Sequence, residues 1–162
     1  MCDRCGEPGL GAHGVSIMER PAQRLVGLMW EGTFDEARSG ALHRLMERIK
    51  QFSDAQAGLW KSPIVGISWN DRPDGFRHFV GISSEDPVPD GMAALDLPDM
   101  RLAGSWHGEG DGEVVDHLVG MVAWLRESGL PHDRSVFDQR EEYPPDVDLS
   151  RPPALRLMLP VG

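Results

Sequence analysis

A carboxylate and a phenol stand two residues apart near the end of the chain, at Glu141 and Tyr143 in the segment SVFDQREEY (135–143). Side chains alternate between the faces of a β-strand, so a strand here places both residues on one face with Phe137. The other face, which we expect to be solvated, carries Val136, Asp138, Arg140 and Glu142. A carboxylate on a buried face can be the counter-charge for a bound cation, or a general base beside a tyrosine acid.

Glu141 and Tyr143 also have a purely structural interpretation. A buried carboxylate must be paired or protonated, and Arg24 or Arg101 on another strand would be a sufficient partner for Glu141. Tyr143 can equally be a packed aromatic side chain whose hydroxyl is bonded locally. If Glu141 contacts a ligand directly, removing its charge weakens a bound cation more than removing the charge of the neighbouring Glu142 does.

Two further groups contain side chains that bind metals. Cys2 and Cys5 form a lone CxxC motif, with His13 as the nearest additional ligand, whereas a structural zinc site wants four ligands. The second group, whose spacing fits no standard metal motif, consists of His107, Glu109, Asp116 and His117. We therefore predict no metal and no other cofactor, and we expect residues 1–13 to be a flexible tail.

Composition restricts the partners of the protein. The chain has 16 Lys+Arg against 26 Asp+Glu, a formal net charge of -10, so we expect no direct contact with nucleic acid. No apolar run approaches the roughly 18 residues of a membrane span, and no signal peptide is evident, which predicts a cytoplasmic protein without membrane contact. The length of 162 residues fits one domain, which we place at residues 14–162.

A weak internal repeat organises the chain after the tail. RLVGLMWEG, which starts at Arg24, returns as RLAGSWHG, which starts at Arg101. Each copy precedes a helix-like segment of about 18 residues and then two candidate strands, and a further short strand precedes each copy. We therefore predict two strand-helix-strand-strand repeats, at about residues 14–85 and 92–161, related by a pseudo-twofold rotation.

Capping signals and apolar stripes locate the two helices. Thr33 and Glu36 have capping-box spacing at the start of the first helix, and Ser128-Gly129 marks the end of the second, which we expect to begin near Asp111. The stripes are Leu42, Leu45, Ile49 and Phe52 in the first helix and Val115, Leu118, Val122 and Leu125 in the second. Single stripes predict that both helices pack on one face of a curved antiparallel sheet, an α+β fold.

The remaining sheet surface carries more aromatic area than a solvated face needs and more polarity than a sealed core accepts. An aromatic groove between the two halves of the domain has both properties. The residues that we predict to contact a ligand there are Glu141, Tyr143, Phe137, Trp106, Trp69 and Trp30. For the tryptophans, a place in the core is an equal alternative.

In their order and spacing, several segments resemble the GyrI-like small-molecule-binding domains, which also occur as effector-binding domains of AraC-type and MerR-type multidrug-responsive transcription regulators. The segments are ERPAQRLVGL, the GIS of PIVGIS, FVGIS followed by VPDGMAALDLP, RLAGSWHGEG, WLRESGL, the EEY motif and LRLMLPV. The resemblance runs from about Val15 to Val161. It implies a duplicated (SHS2-type) fold with a pocket between the repeats, ligands that are often bulky, aromatic and cationic, and Glu141 with Tyr143 in that pocket.

The sequence shows no helix-turn-helix segment, so we expect a stand-alone module and do not assume control of DNA. Our first hypothesis is the binding of hydrophobic aromatic cations, for multidrug sensing or sequestration, without turnover. The alternatives are hydrolysis of electrophilic natural products by Glu141 and Tyr143, and interaction with a protein such as gyrase. We favour binding because cation–π contact and a desolvated carboxylate both select positive charge. A protein partner or a homodimer is left open.

Overall fold

A computed structural model describes residues 14–58 and 60–162; Cys2, Cys5 and His13 of the predicted tail lie outside the described residues. Eight antiparallel strands form one sheet in the order β1-β6-β8-β7-β3-β4-β2-β5. The strands are β1 (Ser16–Arg20), β2 (Gln23–Thr33), β3 (Ile64–Arg72), β4 (Gly75–Ser83), β5 (Ala93–Leu97), β6 (Met100–His107), β7 (Gln139–Tyr143) and β8 (Leu155–Pro160). The helical elements are α1 (Phe34–Glu36), a π-helical turn (Ala37–Ala41), α2 (Leu42–Asp54) and α3 (Val114–Glu127).

The sheet is duplicated, and its strand order reads the same from both ends when β1–β4 are exchanged with β5–β8. Strands β3 and β7 meet at the centre, where Gly66 lies opposite Glu141. Each edge strand pairs with the opposite half, because β1 pairs with β6 and β5 with β2. The predicted α+β fold with pseudo-twofold symmetry is therefore confirmed, and each half pairs its first strand with the other half.

The two tryptophans of the sequence repeat lie on opposite faces of the sheet. Trp30 packs with Leu28 in the cluster under α2. Trp106 alternates with the buried Ser105 and His107 and shares the opposite face with Leu102. RLVGLMWEG has one residue more between glycine and tryptophan than RLAGSWHG, and a shift of one residue reverses the face of a strand.

The first helix begins at the predicted capping box. Glu36 N donates to Thr33 Oγ1 over 3.1 Å, and Thr33 N donates to Glu36 Oε1 over 3.0 Å. The helix then breaks at Gly40, whose φ of 100° is a left-handed conformation that favours glycine. Only after this break does α2 begin, and it buries Leu45 and Ile49 of the predicted stripe.

The second helix ends at the predicted stop signal. Gly129 has a φ of 69°, and Leu130 N donates to Leu125 O over 2.9 Å, as in a Schellman motif. Of the predicted stripe only Leu125 is buried, and the other buried residues are His117 and Met121. Val115 and Val119 remain 68% and 63% exposed. The helix therefore has a second apolar face that the core does not cover.

Both faces of the sheet are packed. On the helix face, Leu155, Leu157 and Leu159 point to α3 as predicted and form a cluster with Met121 and Leu125. The opposite face closes on itself because the sheet curls, and its cluster consists of Leu25, Val65, Ile67, Phe79, Leu97, Leu102, Phe137 and Met158. Within the described chain, no helix has both the length and the apolar character needed to cross a membrane.

Strand β7 is shorter than predicted, and the face that we expected to be solvated is buried. It begins at Gln139, and its buried residues are Arg140 and Glu142, which we expected in water. Arg20 donates to Glu142 from Nε and Nη2, over 2.9 and 2.8 Å, and Arg140 Nε donates to it over 2.9 Å. Burial raises the pKa of Glu142, but the hydrogen bond from Arg20 and the charges of both arginines outweigh it and hold the pKa below its usual value. The expectation of a solvated face was wrong because the curl of the sheet covers it.

Candidate functional site

Glu141 and Tyr143 lie side by side on the helix face of β7, at the centre of the sheet. Tyr143 Oη donates to Glu141 Oε2 over 2.8 Å. Burial, followed by the charge and the accepting oxygen of Glu141, raises the pKa of the Tyr143 phenol well above its usual value. The phenol therefore keeps its proton at neutral pH and donates a hydrogen bond to the Glu141 carboxylate. The alternation of side chains had predicted that these two residues share a face.

Gly66 of β3 leaves the space in which Glu141 meets a histidine from β4. A Cβ atom at Gly66 would lie 3.3 Å from His78 Nε2 and 3.5 Å from Glu141 Oε2. Ser68 Oγ holds the other ring nitrogen of His78, Nδ1, at 2.7 Å. A Cβ atom at Gly66 would be in tight contact with the His78 ring and in ordinary contact with Glu141, so a larger side chain there would have to displace the histidine.

His78 is a site residue that sequence reasoning missed. It is buried, and burial lowers its pKa against the opposing effect of the Glu141 charge. The ring is therefore neutral at neutral pH and does not supply a positive charge to Glu141. A histidine in the apolar strand FRHFVGIS was a signal, but its position beside Glu141 depends on the register that pairs Ser68 with His78.

A cavity of about 300 Å³ opens above Glu141, Tyr143 and His78, and we call it the Glu141 cavity. Its walls come from α2, from the first residue of α3 and from the connection between β7 and β8. The apolar wall residues are Leu42, Met46, Val114, Val147, Leu149, Pro152 and Pro153. A volume of this size is at the lower end of the range for small-molecule sites.

The Glu141 cavity carries uncompensated negative charge. Asp148, also in its wall, accepts hydrogen bonds from Ser150 N and Oγ, over 3.0 and 2.6 Å, and these lower its pKa. Arg151 lines the cavity but forms two 2.7 Å hydrogen bonds with Glu109. Among the described residues, no arginine or lysine lies within ion-pair distance of Glu141.

The arginines that we considered as structural partners of Glu141 bind elsewhere. Arg24 donates to the backbone oxygens of Ser84 and Asp86, over 2.8 and 3.0 Å. Arg101 Nη1 lies 3.5 Å from the backbone oxygen of Gly162. The structural interpretation of Glu141 as half of an ion pair with either residue is therefore wrong.

The aromatic candidates lie outside the Glu141 cavity. Phe137 is fully buried in the cluster on the opposite face of the sheet, against which Trp69 packs, and Trp106 belongs to that face too. Trp30 lies on the helix face and packs edge to face on Phe76, with ring centres 5.3 Å apart. Their contact with a ligand stays a prediction.

A larger cavity of about 690 Å³ adjoins the Glu141 cavity along α3, and we call it the α3 cavity. The two meet at β7, where Gln139 lines the α3 cavity and its Nε2 lies 3.5 Å from Glu141 Oε1. The remaining wall of the α3 cavity consists of Phe34, Ser68, Asn70, Phe76, Val115, Leu118, Val119, Val122, Ala123, Arg126, His132, Arg134, Asp138 and Leu159. Sequence reasoning missed this cavity because it placed Val115 and Val122, which line it, on the core stripe of α3.

The candidate metal residues do not come together as one group. The Nδ1 atoms of His107 and His117 are 2.8 Å apart in the interior. Glu109 instead pairs with Arg151, and Asp116 is exposed. In residues 14–58 and 60–162, no three His, Cys, Asp or Glu side chains are grouped so that they could hold a metal ion.

Comparison with known protein families identifies the domain. Residues 13–161 match the family described as the GyrI-like small molecule binding domain. The chain belongs to this family. No curated protein matches the sequence.

Solved structures share the fold of this GyrI-like domain. The C-terminal domain of EcmrR is 12% identical, with a TM-score of 0.69 over 93% of this chain and 98% of that one. In the cryo-EM structure of an EcmrR–DNA complex, the similarity has a TM-score of 0.66 at 9% identity and covers 92% of this chain. The GyrI-like domain spans 57% of the length of that EcmrR chain.

Two further neighbours differ in what they bind or do. SAV2435, in a structure bound to tetraphenylphosphonium, has a TM-score of 0.69 at 11% identity, over 91% of this chain and 93% of that one. A hydrolase from Listeria innocua has a TM-score of 0.57 at 14% identity, over 91% of each chain. Identities this low show a common fold, and the function has to be inferred from the site.

Proposed function

We propose that this GyrI-like domain binds hydrophobic aromatic cations in the Glu141 cavity. The observation that carries the proposal is the state of Glu141, a carboxylate on the cavity wall that is hydrogen-bonded to the neutral Tyr143 and Gln139 and has no cationic partner among the described residues. A bound cation supplies the missing positive charge without breaking an ion pair of the protein. Drug sensing or sequestration would use such binding.

The walls of the cavity support an aromatic rather than a small hydrated cation. Leu42, Met46 and Val114 offer apolar contact, and the Tyr143 ring lines the cavity beside the carboxylate. A cation whose charge is spread over aryl groups loses little hydration energy on entering such a site. The complex of SAV2435 with tetraphenylphosphonium is consistent with this ligand class.

Methyltriphenylphosphonium and triphenylphosphine oxide test the proposal because they have nearly the same shape and differ in charge. We expect the cation to bind about 10- to 150-fold more tightly than the oxide, since contacts with a charged group contribute about 1.5 to 3 kcal/mol. Isothermal titration calorimetry at one fixed salt concentration measures both affinities. Equal affinities, or no binding of the phosphonium, would refute cation binding.

Hydrolysis of an electrophilic compound is the second candidate, and the contact between Glu141 and Tyr143 favours it. Glu141 would take a proton from water as the water oxygen attacks an electrophilic carbon, and Tyr143 would give its proton to the departing oxygen. Tyr143 is protonated at neutral pH, as an acid must be. The hydrolase from Listeria innocua has the same fold.

Tyr143→Phe separates the two candidates. For a binding protein we expect the affinity for methyltriphenylphosphonium to change by less than about threefold, because the ring and Glu141 both remain. We also expect no hydrolysis of styrene oxide by either protein. Turnover by the unmutated protein that falls about 100-fold or more in Tyr143→Phe would favour the hydrolase, since an acid catalyst contributes about that much. Chromatography of the diol product measures the turnover.

A further inference from the structure

The α3 cavity has apolar walls that the fold does not need for its core. Helix α3 turns its buried stripe to the sheet and a second stripe, with Val115 and Val119, into the cavity. On another wall, Phe34 and Phe76 stack with ring centres 5.7 Å apart. Exposed valines on a helix beside a cavity of about 690 Å³ are typical of a binding surface for an apolar group.

The charge of the α3 cavity is opposite to that of the Glu141 cavity. Its wall contains one carboxylate, Asp138, which forms an ion pair with Arg134 and accepts a 2.6 Å hydrogen bond from Asn70 N. His132 Nε2 donates to the backbone oxygen of Asp138 over 2.9 Å. Arg126 lies one helical turn beyond Val122, and within residues 14–58 and 60–162 its side chain forms no hydrogen bond or ion pair. The cavity therefore has an uncompensated positive charge.

We propose that the α3 cavity is a second binding site, selective for aromatic groups that carry an anionic end such as a sulfonate, with Arg126 as the counter-charge. The rise of an α-helix, about 1.5 Å per residue, puts Arg126 about 18 Å from Val114 of the Glu141 cavity. A ligand of the size of methyltriphenylphosphonium cannot reach both ends. Val114 and Arg126 therefore cannot both contact one such ligand, although the two cavities meet at Gln139, and the second proposal does not depend on the first.

Two fluorescent probes with the same aromatic body test the site: 1-anilinonaphthalene-8-sulfonate and N-phenyl-1-naphthylamine, which lacks the sulfonate. We expect Arg126→Gln to weaken the sulfonate about 10-fold or more and to leave the affinity of the neutral amine within about twofold. Arg48→Gln is the matched control, because Arg48 is an exposed arginine on α2 and its loss changes the net charge equally. We expect Val119→Gln to weaken both probes, which locates them in the α3 cavity.

An arginine in the last turn also stabilises a helix, because its charge interacts favourably with the helix dipole. The thermal midpoint of each variant is therefore measured alongside the affinity. Saturating methyltriphenylphosphonium should not displace the sulfonate. Equal losses of affinity for the sulfonate in Arg126→Gln and Arg48→Gln would overturn the proposal, and so would a loss of affinity for the neutral amine in Arg126→Gln that equals the loss for the sulfonate. It is also overturned if the phosphonium displaces the sulfonate, or if the sulfonate does not bind to the unmutated protein.

Discussion

Glu142→Gln is expected to destabilise the fold by about 3 to 5 kcal/mol. The glutamine keeps the shape of the side chain but removes the charge that two arginines share. Arg140, whose side chain is 3% exposed, would be left as a buried charge without a counter-charge. Burial already lowers the pKa of Arg140, and the charge of Glu142 opposes that effect. Denaturation in guanidinium chloride measures the loss.

The matched control for this prediction is Glu141→Gln, one residue along the same strand. Glu141 lies on the opposite face and has no arginine partner among the described residues, so we expect its replacement to cost less than about 1 kcal/mol of stability. Equal losses of stability in the two variants would contradict the assignment of the ion-pair cluster to Glu142.

The stabilisation by Glu142 should depend on pH with a definite sign. Because its folded pKa lies below the usual value, its contribution is complete above the ordinary glutamate pKa of about 4.3 and is lost as the pH falls through the lower folded value. The difference in unfolding free energy between the unmutated protein and Glu142→Gln should therefore be constant near neutral pH and shrink in acid. A difference that persists unchanged at the lowest accessible pH would point to packing rather than charge.

Strand β7 shows how far sequence patterns can predict this fold. Alternation correctly put Glu141 and Tyr143 on one face, because it depends only on local backbone geometry. It could not tell which face is solvated, because the burial of Arg140 and Glu142 results from the curl of the whole sheet. The prediction that Phe137 shares a face with Glu141 and Tyr143 was wrong for another reason, because Phe137 precedes the strand and packs on the opposite face.

Elsewhere, local sequence signals were sufficient to predict those features that do not depend on distant contacts. The capping box of Thr33 and the stop at Gly129 both appear as predicted, since each is complete within a few residues. His78 and Asp148 could not be assigned to the site from sequence. His78 reaches Glu141 only through the pairing of three strands, and Asp148 reaches it through an irregular connection that no periodicity describes.

Glu141→Gln is expected to weaken methyltriphenylphosphonium by about 10- to 150-fold and to change the affinity for triphenylphosphine oxide by less than about twofold. Glutamine is nearly isosteric with glutamate and still accepts the hydrogen bond from Tyr143 Oη. The lost affinity therefore measures the negative charge rather than the shape of the cavity. Isothermal titration calorimetry on folded protein, checked by its thermal midpoint, provides the numbers.

Long-range attraction is the alternative cause of such a loss, because a protein with a net charge of -10 attracts every cation. Glu142→Gln cannot control for it, since that variant is expected to lose stability. Glu113→Gln can, because Glu113 is exposed, makes no capping hydrogen bond and precedes Val114 of the cavity wall. A general field lowers the affinity of both variants equally and weakens with added salt, whereas direct contact lowers it only in Glu141→Gln. Equal losses in the two variants would leave Glu141 without a role in binding the cation.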